Sequence, residues 1–297
     1  MKYVITGSLG HISKPVVTAL VKAGHDVTVI TSNPDRVKEI ESLGAKAQTG
    51  SVEDTAFLQK AFAGAEVVYT MVPPSYNAKD VKAHLAQIGK NYAAAIAANG
   101  IKYVVNLSSI GAHLPAGVGP VSGLHKVEQA LNAIPGINVK HLRPSYYYYN
   151  LLSMIPLIKN MDIMGSNFSI ADKKFPLAEQ ADIAAVAIEE LLRLDFTGVS
   201  HRYIVSDEIS TADIALVIGK TIGKPGLQWI QFTSEQALGG MQQAGLPEDA
   251  AKNLVEMGEA IQSGIMFEDY WKHHPAQLEK TKLADFAQTF AAAYSAN

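Results

Sequence analysis

Three groups of residues in this sequence have types and spacings that could do chemistry. The first is Gly7-x-x-Gly10, which directly follows the β-branched and aromatic run Tyr3-Val4-Ile5-Thr6 and precedes a helical stretch over residues 14–23. Glycines let a backbone approach a pyrophosphate with no Cβ in the way. The unpaired amides and positive dipole end of the following helix would then face the negative charge. The turn atoms would come from Gly7, Leu9, Gly10, His11 and Ile12, and Pro15 suits a first helical turn. An ordinary strand-to-helix turn, where glycine only relieves strain, is the alternative. The second group is Ser122 and Lys126, four apart and so on one face of a helix that begins after Gly119-Pro120. A lysine there could hydrogen-bond ribose hydroxyls, stabilise charge developing on a carbonyl oxygen or, if buried, donate a proton. A solvated lysine whose stem covers apolar surface is the plain alternative. The third group is Tyr146-Tyr147-Tyr148-Tyr149, whose alternate rings would face a pocket and the core and could stack on a flat apolar ligand.

Other chemistries are excluded by residue type or spacing. There is no cysteine, so disulfides, thiolate nucleophiles and cysteine metal sites are out. His273 and His274 are adjacent and point apart, with no Glu-x-x-His or His-x-x-x-His spacing nearby, so no metal site is predicted. Ser108 and Ser109 lack the Gly-x-Ser-x-Gly elbow that a hydrolase nucleophile needs. Glu128 lies two residues beyond Lys126, projects from another face, and reads as a structural or solvent contact. His125 reads as structural.

The elements that must position these groups alternate along the chain. Strands are predicted at residues 2–6, 25–31, 45–49, 66–72 and 101–107, with helices between them ending near Ala23, Leu43, Phe62 and Asn99. That order, with short connections, predicts an α/β fold: a Rossmann-type doubly wound parallel sheet over residues 1–150. Residues 151–297 predict a smaller mixed α/β substrate-binding region that covers the crevice, with some segments returning to the core. The glycine-bearing stretch 239–264 could be a mobile cover.

In a doubly wound sheet, ligands sit beyond the carboxyl ends of the strands. The loops there hold Gly7 and Gly10, then Ser32, Asn33 and Arg36, then Ser51 and Val52, then Val72 and Pro73, then Ser108 and Ser109. Their convergence predicts a dinucleotide site. NAD-selective sites usually place a carboxylate at the end of the second strand. Here small polar donors and Arg36 suit a 2′-phosphate, although Asn33-Pro34-Asp35 also reads as a plain helix cap. NADPH is the predicted cofactor and NADH the second choice.

Composition bounds the rest. The 297 residues are 48% hydrophobic and 18% charged, as in a globular enzyme, and a net charge of −3 gives no basic footprint for nucleic acid. No uncharged apolar run reaches the ~18 residues of a membrane span. The first residues run straight into a strand, so no signal peptide is predicted and the cytoplasm is the expected compartment. The expected partner is a small-molecule substrate. A homodimer or a protein partner is left open, and neither nucleic acid nor membrane is expected.

The sequence also resembles the NmrA-like branch of the atypical short-chain dehydrogenases/reductases. The resemblance is carried by Gly7-x-x-Gly10, Thr31-Ser32-Asn33-Pro34-Asp35-Arg36, Val72-Pro73-Pro74, Leu107-Ser108-Ser109, His125-Lys126-Val127-Glu128 and Leu142-Arg143-Pro144-Ser145. It continues through Ala181-Asp182-Ile183-Ala184 and Tyr203-Ile204-Val205-Ser206. It implies an NADPH-dependent reductase of quinones or ethers, or a redox-sensing regulator that binds the dinucleotide without turning it over. Three positions depart from the pattern. Ser13 stands where the third glycine usually falls, so helix–strand packing there should be looser. Ser32 stands where an arginine often grips the 2′-phosphate, and the superfamily's Tyr-x-x-x-Lys aligns with Ser122-x-x-x-Lys126. The resemblance makes Lys126 catalytic; the nicotinamide is expected near Val72, Pro73, Lys126 and Tyr146, and Ser108 and Pro144 are also expected to bind the cofactor. The expected activity is NAD(P)H-dependent reduction of a small carbonyl or quinone-like compound. The alternative is a non-catalytic NAD(P)(H)-binding sensor acting through a protein partner.

Overall fold

A computed structural model describes residues 1–296. The first half alternates β1 (Lys2–Ile5), α1 (Ser13–Lys22), β2 (Asp26–Thr31), α2 (Val37–Ser42), β3 (Lys46–Thr49), α3 (Thr55–Ala61), β4 (Val67–Met71), α4 (Val81–Ala98), β5 (Tyr103–Leu107), α5 (Val121–Asn132) and β6 (Asn138–Pro144). The second half carries β7 (Tyr146–Tyr147), α6 (Ile155–Met161), β8 (Ile163–Ser166), β9 (Phe175–Ala178), α7 (Gln180–Arg193), β10 (Val199–Ile204), β11 (Asp207–Ile209) and α8 (Thr211–Thr221). It ends with β12 (Gln228–Gln231), α9 (Ser234–Gln243), α10 (Glu248–Ser263), α11 (Glu268–Lys272) and α12 (Leu283–Ala296).

The main sheet has seven strands in the order β10-β6-β5-β4-β1-β2-β3, and every pairing in it is parallel. Its inner strands are buried on both faces, so they read as continuous apolar runs rather than alternating ones: Tyr3, Val4 and Ile5 are all fully enclosed. After β3 the chain crosses to the other side of β1 and continues as β4. The order therefore reverses between β1 and β4, and a crevice opens at their carboxyl ends. Helix α1 packs by Val16, Val17 and Leu20, each completely buried, at roughly 1.5–3 kcal/mol apiece. Two further helix starts are capped by aspartates: Asp54 accepts from the Phe57 amide and Asp80 from the Ala83 amide.

Two segments of the second half return to the main sheet. Strand β10 pairs with β6 along six residues, and α7 packs over β1, where the Tyr3 hydroxyl donates to the Leu191 carbonyl. The other segments form a three-stranded sheet (β11-β9-β7) and a two-stranded one (β12-β8). They enclose an aromatic core of Tyr148, Phe168, Phe175, Phe267, Tyr270 and Phe286. Ile110, Val118 and Val121 of the first half belong to that same core, so residues on both sides of position 150 are packed together. No helix among the described residues is long and apolar enough to cross a membrane.

Candidate functional site

The glycine turn adopts a shape that few residues allow. Gly7 has φ +89°, and a Cβ there would meet the Met71 side chain at 2.5 Å. Ser8 follows with φ 55°, and its hydroxyl donates to Thr31 Oγ1 at 3.0 Å, tying the turn to the end of β2. Leu9 and Ile12 bury their side chains, so they offer backbone to the crevice. Among the described residues, the amides of Leu9, Gly10, His11 and Ile12 have no hydrogen-bond partner. The start of α1 has no side-chain cap and no acidic residue in its first turn. Four free amides and a positive helix end make a receptor for an anion. Ser13, in the place of the third glycine, is buried and its hydroxyl donates to the Thr6 carbonyl at 3.4 Å. The larger side chain is held by a long hydrogen bond.

The second loop places Ser32, Asn33 and Arg36 on the surface. The Asn33 side chain accepts from the Asp35 amide at 2.9 Å, so the helix-cap reading holds. Arg36 pairs with Glu39 at 2.7 Å, and Lys14 of α1 reaches the same carboxylate at 2.8 Å. Two cations against one carboxylate leave a net positive charge beside the glycine turn. Ser51 and Val52 serve the third loop: the Ser51 hydroxyl accepts from the Glu53 amide, and the Val52 carbonyl accepts from Asn91.

Three cavities adjoin along the crevice. The first, about 250 Å³, is lined by Gly7, Gly10, Val72, Ser108, Leu124 and Tyr147, among others. It shares Ser108, Leu124 and Tyr147 with a second of about 330 Å³, which adds Ser109, Ser145 and Tyr146. The second shares Tyr76, Tyr146, Asn150 and Met257 with a third of about 670 Å³ beneath α9 and α10. Of the residues predicted from sequence, Gly7, Gly10, His11, Ile12, Val72 and Ser108 meet in the first cavity, and Tyr146 stands in the next. Ser51, Val52, Pro73, Pro144 and Lys126 do not line these cavities. Pro74 takes the place expected of Pro73, which is exposed. Pro144 is buried in the sheet behind the wall, with its carbonyl accepting from Ile110.

Helix α5 turns Lys126 to the surface. Its Val121, Ser122 and Val127 are buried, and Leu124 lines the crevice. Lys126, two residues past Leu124, is exposed, so the buried lysine considered from sequence is not found. Glu128 is a structural contact, the first of the two readings its position allowed, and not a solvent one. It accepts from Ser108 at 2.6 Å and bidentately from Arg143 at 3.0 and 2.7 Å, with all three residues buried. Burial works to raise the Glu128 carboxyl, but Arg143 outweighs it and holds the group below the usual carboxylate range. The pair fixes Ser108 at the junction of the first two cavities.

The tyrosine run does not alternate as a strand would. Tyr146 and Tyr147 form β7, and the chain then turns into a 3₁₀ segment over Tyr148–Met154. Tyr146 and Tyr147 both reach the crevice, Tyr148 is wholly in the core, and Tyr149 is exposed with its ring 5.3 Å from that of His11. Burial pushes the Tyr146 and Tyr147 phenols well above the ordinary tyrosine range, so both stay protonated and can donate. Beside them the Ser145 hydroxyl is buried, lines the second cavity and has no partner among the described residues. Sequence reasoning missed Ser145, Tyr147, Leu124 and Met257 as site residues. Signals were present for Tyr147, which belongs to the tyrosine run, for Ser145, which closes the Leu142-Arg143-Pro144-Ser145 motif, and for Met257, which lies in the glycine-bearing stretch 239–264. That stretch runs from the second half of α9 through α10, and α10 is joined to α4 by a Lys82–Glu256 ion pair at 2.5 Å.

Comparison with known families and structures supplies a context for this geometry. The NmrA-like family model matches residues 2–289. The chain belongs to the NmrA-like family. No curated protein sequence matches it. Among solved structures, this NmrA-like chain is similar to an NADPH-dependent quinone oxidoreductase from Escherichia coli complexed with NADPH, at 21% identity and a TM-score of 0.81, covering 97% of this chain and 99% of that one. It is also similar to the triphenylmethane reductase of Citrobacter sp. complexed with NADP(H), at 18% identity and a TM-score of 0.78, covering 98% and 100%. At such identities the likeness is one of fold.

Proposed function

We propose that this NmrA-like protein binds NADPH along the crevice and reduces a small, planar carbonyl or quinone-like compound. The observation that carries the reading is continuity: four free amides at a helix start open into one cavity, which leads into an aromatic chamber with an unpartnered buried hydroxyl. The residues present fit a dinucleotide, because the turn excludes a Cβ at Gly7 and presents donors where phosphates need them. The names of the two structural neighbours, a quinone oxidoreductase and a triphenylmethane reductase, point the same way.

When bound, NADPH supplies a hydride; the protein's part is to place and polarise. The amides of residues 9–12 would hold the pyrophosphate, and Ser32, Asn33 and Arg36 the 2′-phosphate. Val72 and Ser108 would set the floor under the nicotinamide. Tyr146, Tyr147 and Ser145 would receive the acceptor, with donors placed to stabilise charge developing on its oxygen. Lys126 would act from an exposed position, through its long flexible stem.

The test is steady-state NADPH oxidation against a panel of benzoquinones, naphthoquinones and aromatic ketones. Turnover with at least one acceptor, a raised KM for Tyr146→Ala and a lowered kcat for Lys126→Ala support the assignment. Cofactor binding without turnover of any acceptor would leave the non-catalytic sensor. An unchanged kcat in Lys126→Ala would remove that residue from the mechanism.

A further inference from the structure

At the β10 edge of the main sheet, three side chains meet that no sequence spacing had joined. His201 comes from β10, Asp269 from α11, and His273 lies one helical turn beyond Asp269. Their donor atoms all lie within 4.8 Å of one another. His201 Nε2 is 3.9 Å from Asp269 Oδ2, and His273 Nδ1 is 3.4 Å from Asp269 Oδ1. The adjacency of His273 and His274 does turn their rings to different partners, since His274 Nε2 sits 2.6 Å from Glu208. Residue spacing could not show that His201 approaches from another element.

We propose that His201, Asp269 and His273 form a binding site for a divalent cation of the imidazole-preferring kind, with Zn²⁺ as its type. Two imidazole nitrogens and a carboxylate oxygen are a common donor set for such ions. Ligands bound at about 2.0–2.1 Å in a tetrahedron stand roughly 3.3–3.5 Å apart. The gaps from Asp269 to His273 and His201 approach that spacing, and both histidines are exposed. Binding through Nδ1 would exchange the hydrogen bond His273 makes with the Asp269 carbonyl at 2.9 Å.

Charge favours the same ligand. Arg143 is held bidentately by Glu128 and lies 3.6 Å from Asp269, so one guanidinium faces two carboxylates and one negative charge is left over. The Tyr203 hydroxyl donates to Asp269 Oδ2 and orients the carboxylate, as partners behind a metal ligand commonly do. His113, within electrostatic reach of Asp269, adds a buried Nδ1 that has no hydrogen-bond partner among the described residues.

The experiment is a calorimetric titration of the chelator-treated full chain with Zn²⁺ alone, repeated on His201→Ala, His273→Ala and His274→Ala. The proposal requires saturable binding of about one equivalent, weakened roughly tenfold or more in the first two variants and unchanged in the third. Co²⁺ in place of Zn²⁺ should give visible absorption bands of tetrahedral type, lost in His201→Ala. Circular dichroism confirms that each exposed-site variant is folded. No saturable binding, or binding lost only in His274→Ala, would overturn the site.

Discussion

At the glycine turn the crevice wall is backbone, drawn from one continuous stretch of seven residues between β1 and α1. In the aromatic chamber the wall is side chains, and they come from the loops after β4, β5 and β6 and from the distant α10. The first surface answers to φ angles and free amides, the second to ring placement and unpaired hydroxyls. An ion pair, Glu128–Arg143, joins them through Ser108, which lines cavities of both kinds. The difference suggests that cofactor and acceptor binding can be damaged separately, except through that joint.

The largest expected effect is at the joint. Glu128→Ala leaves the Arg143 guanidinium buried without its bidentate partner and should destabilise the fold by about 3–5 kcal/mol, read from urea unfolding. Both ends of the crevice should lose function together; loss of one alone would break the comparison. Next is the buried row beneath the crevice floor, in which Thr70 donates to Asn106, Asn106 to His141 Nδ1, and His141 Nε2–H to Asn132. Burial pushes the His141 pKa down to about 4. The unfolded chain therefore binds the extra proton first as pH falls, and stability present above the unfolded value of ~6.5 is lost between there and about 4. On the order of 3 kcal/mol is at stake, and His141→Gln should flatten that part of the stability–pH curve.

Gly7→Val sharpens the comparison at the turn. Strain at positive φ costs about 1–3 kcal/mol, and the new side chain meets Met71. Any stabilisation by NADPH that the wild type shows should disappear, while the chamber keeps its shape. Ser145→Ala is the counterpart at the other end and the smallest change. Its hydroxyl has no protein partner to strand, so stability should hold within about 0.5 kcal/mol. One lost hydrogen bond to the acceptor, about 1 kcal/mol, should lower kcat/KM roughly fivefold with NADPH affinity unchanged.

The two ends also differ in how far they can be read from residues alone. The turn is legible because all it needs is local: a buried strand, glycines at the bend, an uncapped helix start. The parallel sheet is legible for the same reason, as five alternations leave few topologies open. The chamber is not, since nothing near Ser145 shows that α10 will cover it. Spacing sets Lys126 on the face of Ser122, yet packing against α4 decides which part of that face meets the crevice, and Leu124 takes the place. Tyr146 to Tyr149 read as a strand by residue type, but a turn after two residues sends Tyr148 into the core and Tyr149 outward.

The decisive measurement is a thermal-shift titration with NADPH and NADH in parallel, on the wild type and on Arg36→Ala. A ligand at a hundred times its Kd stabilises a fold by about 2.7 kcal/mol, a readily visible shift. The crevice described above predicts a clear rise with NADPH, a smaller one with NADH, and a narrowed gap in Arg36→Ala. No rise with either nucleotide would contradict it, leaving the fold intact and the cofactor site without support.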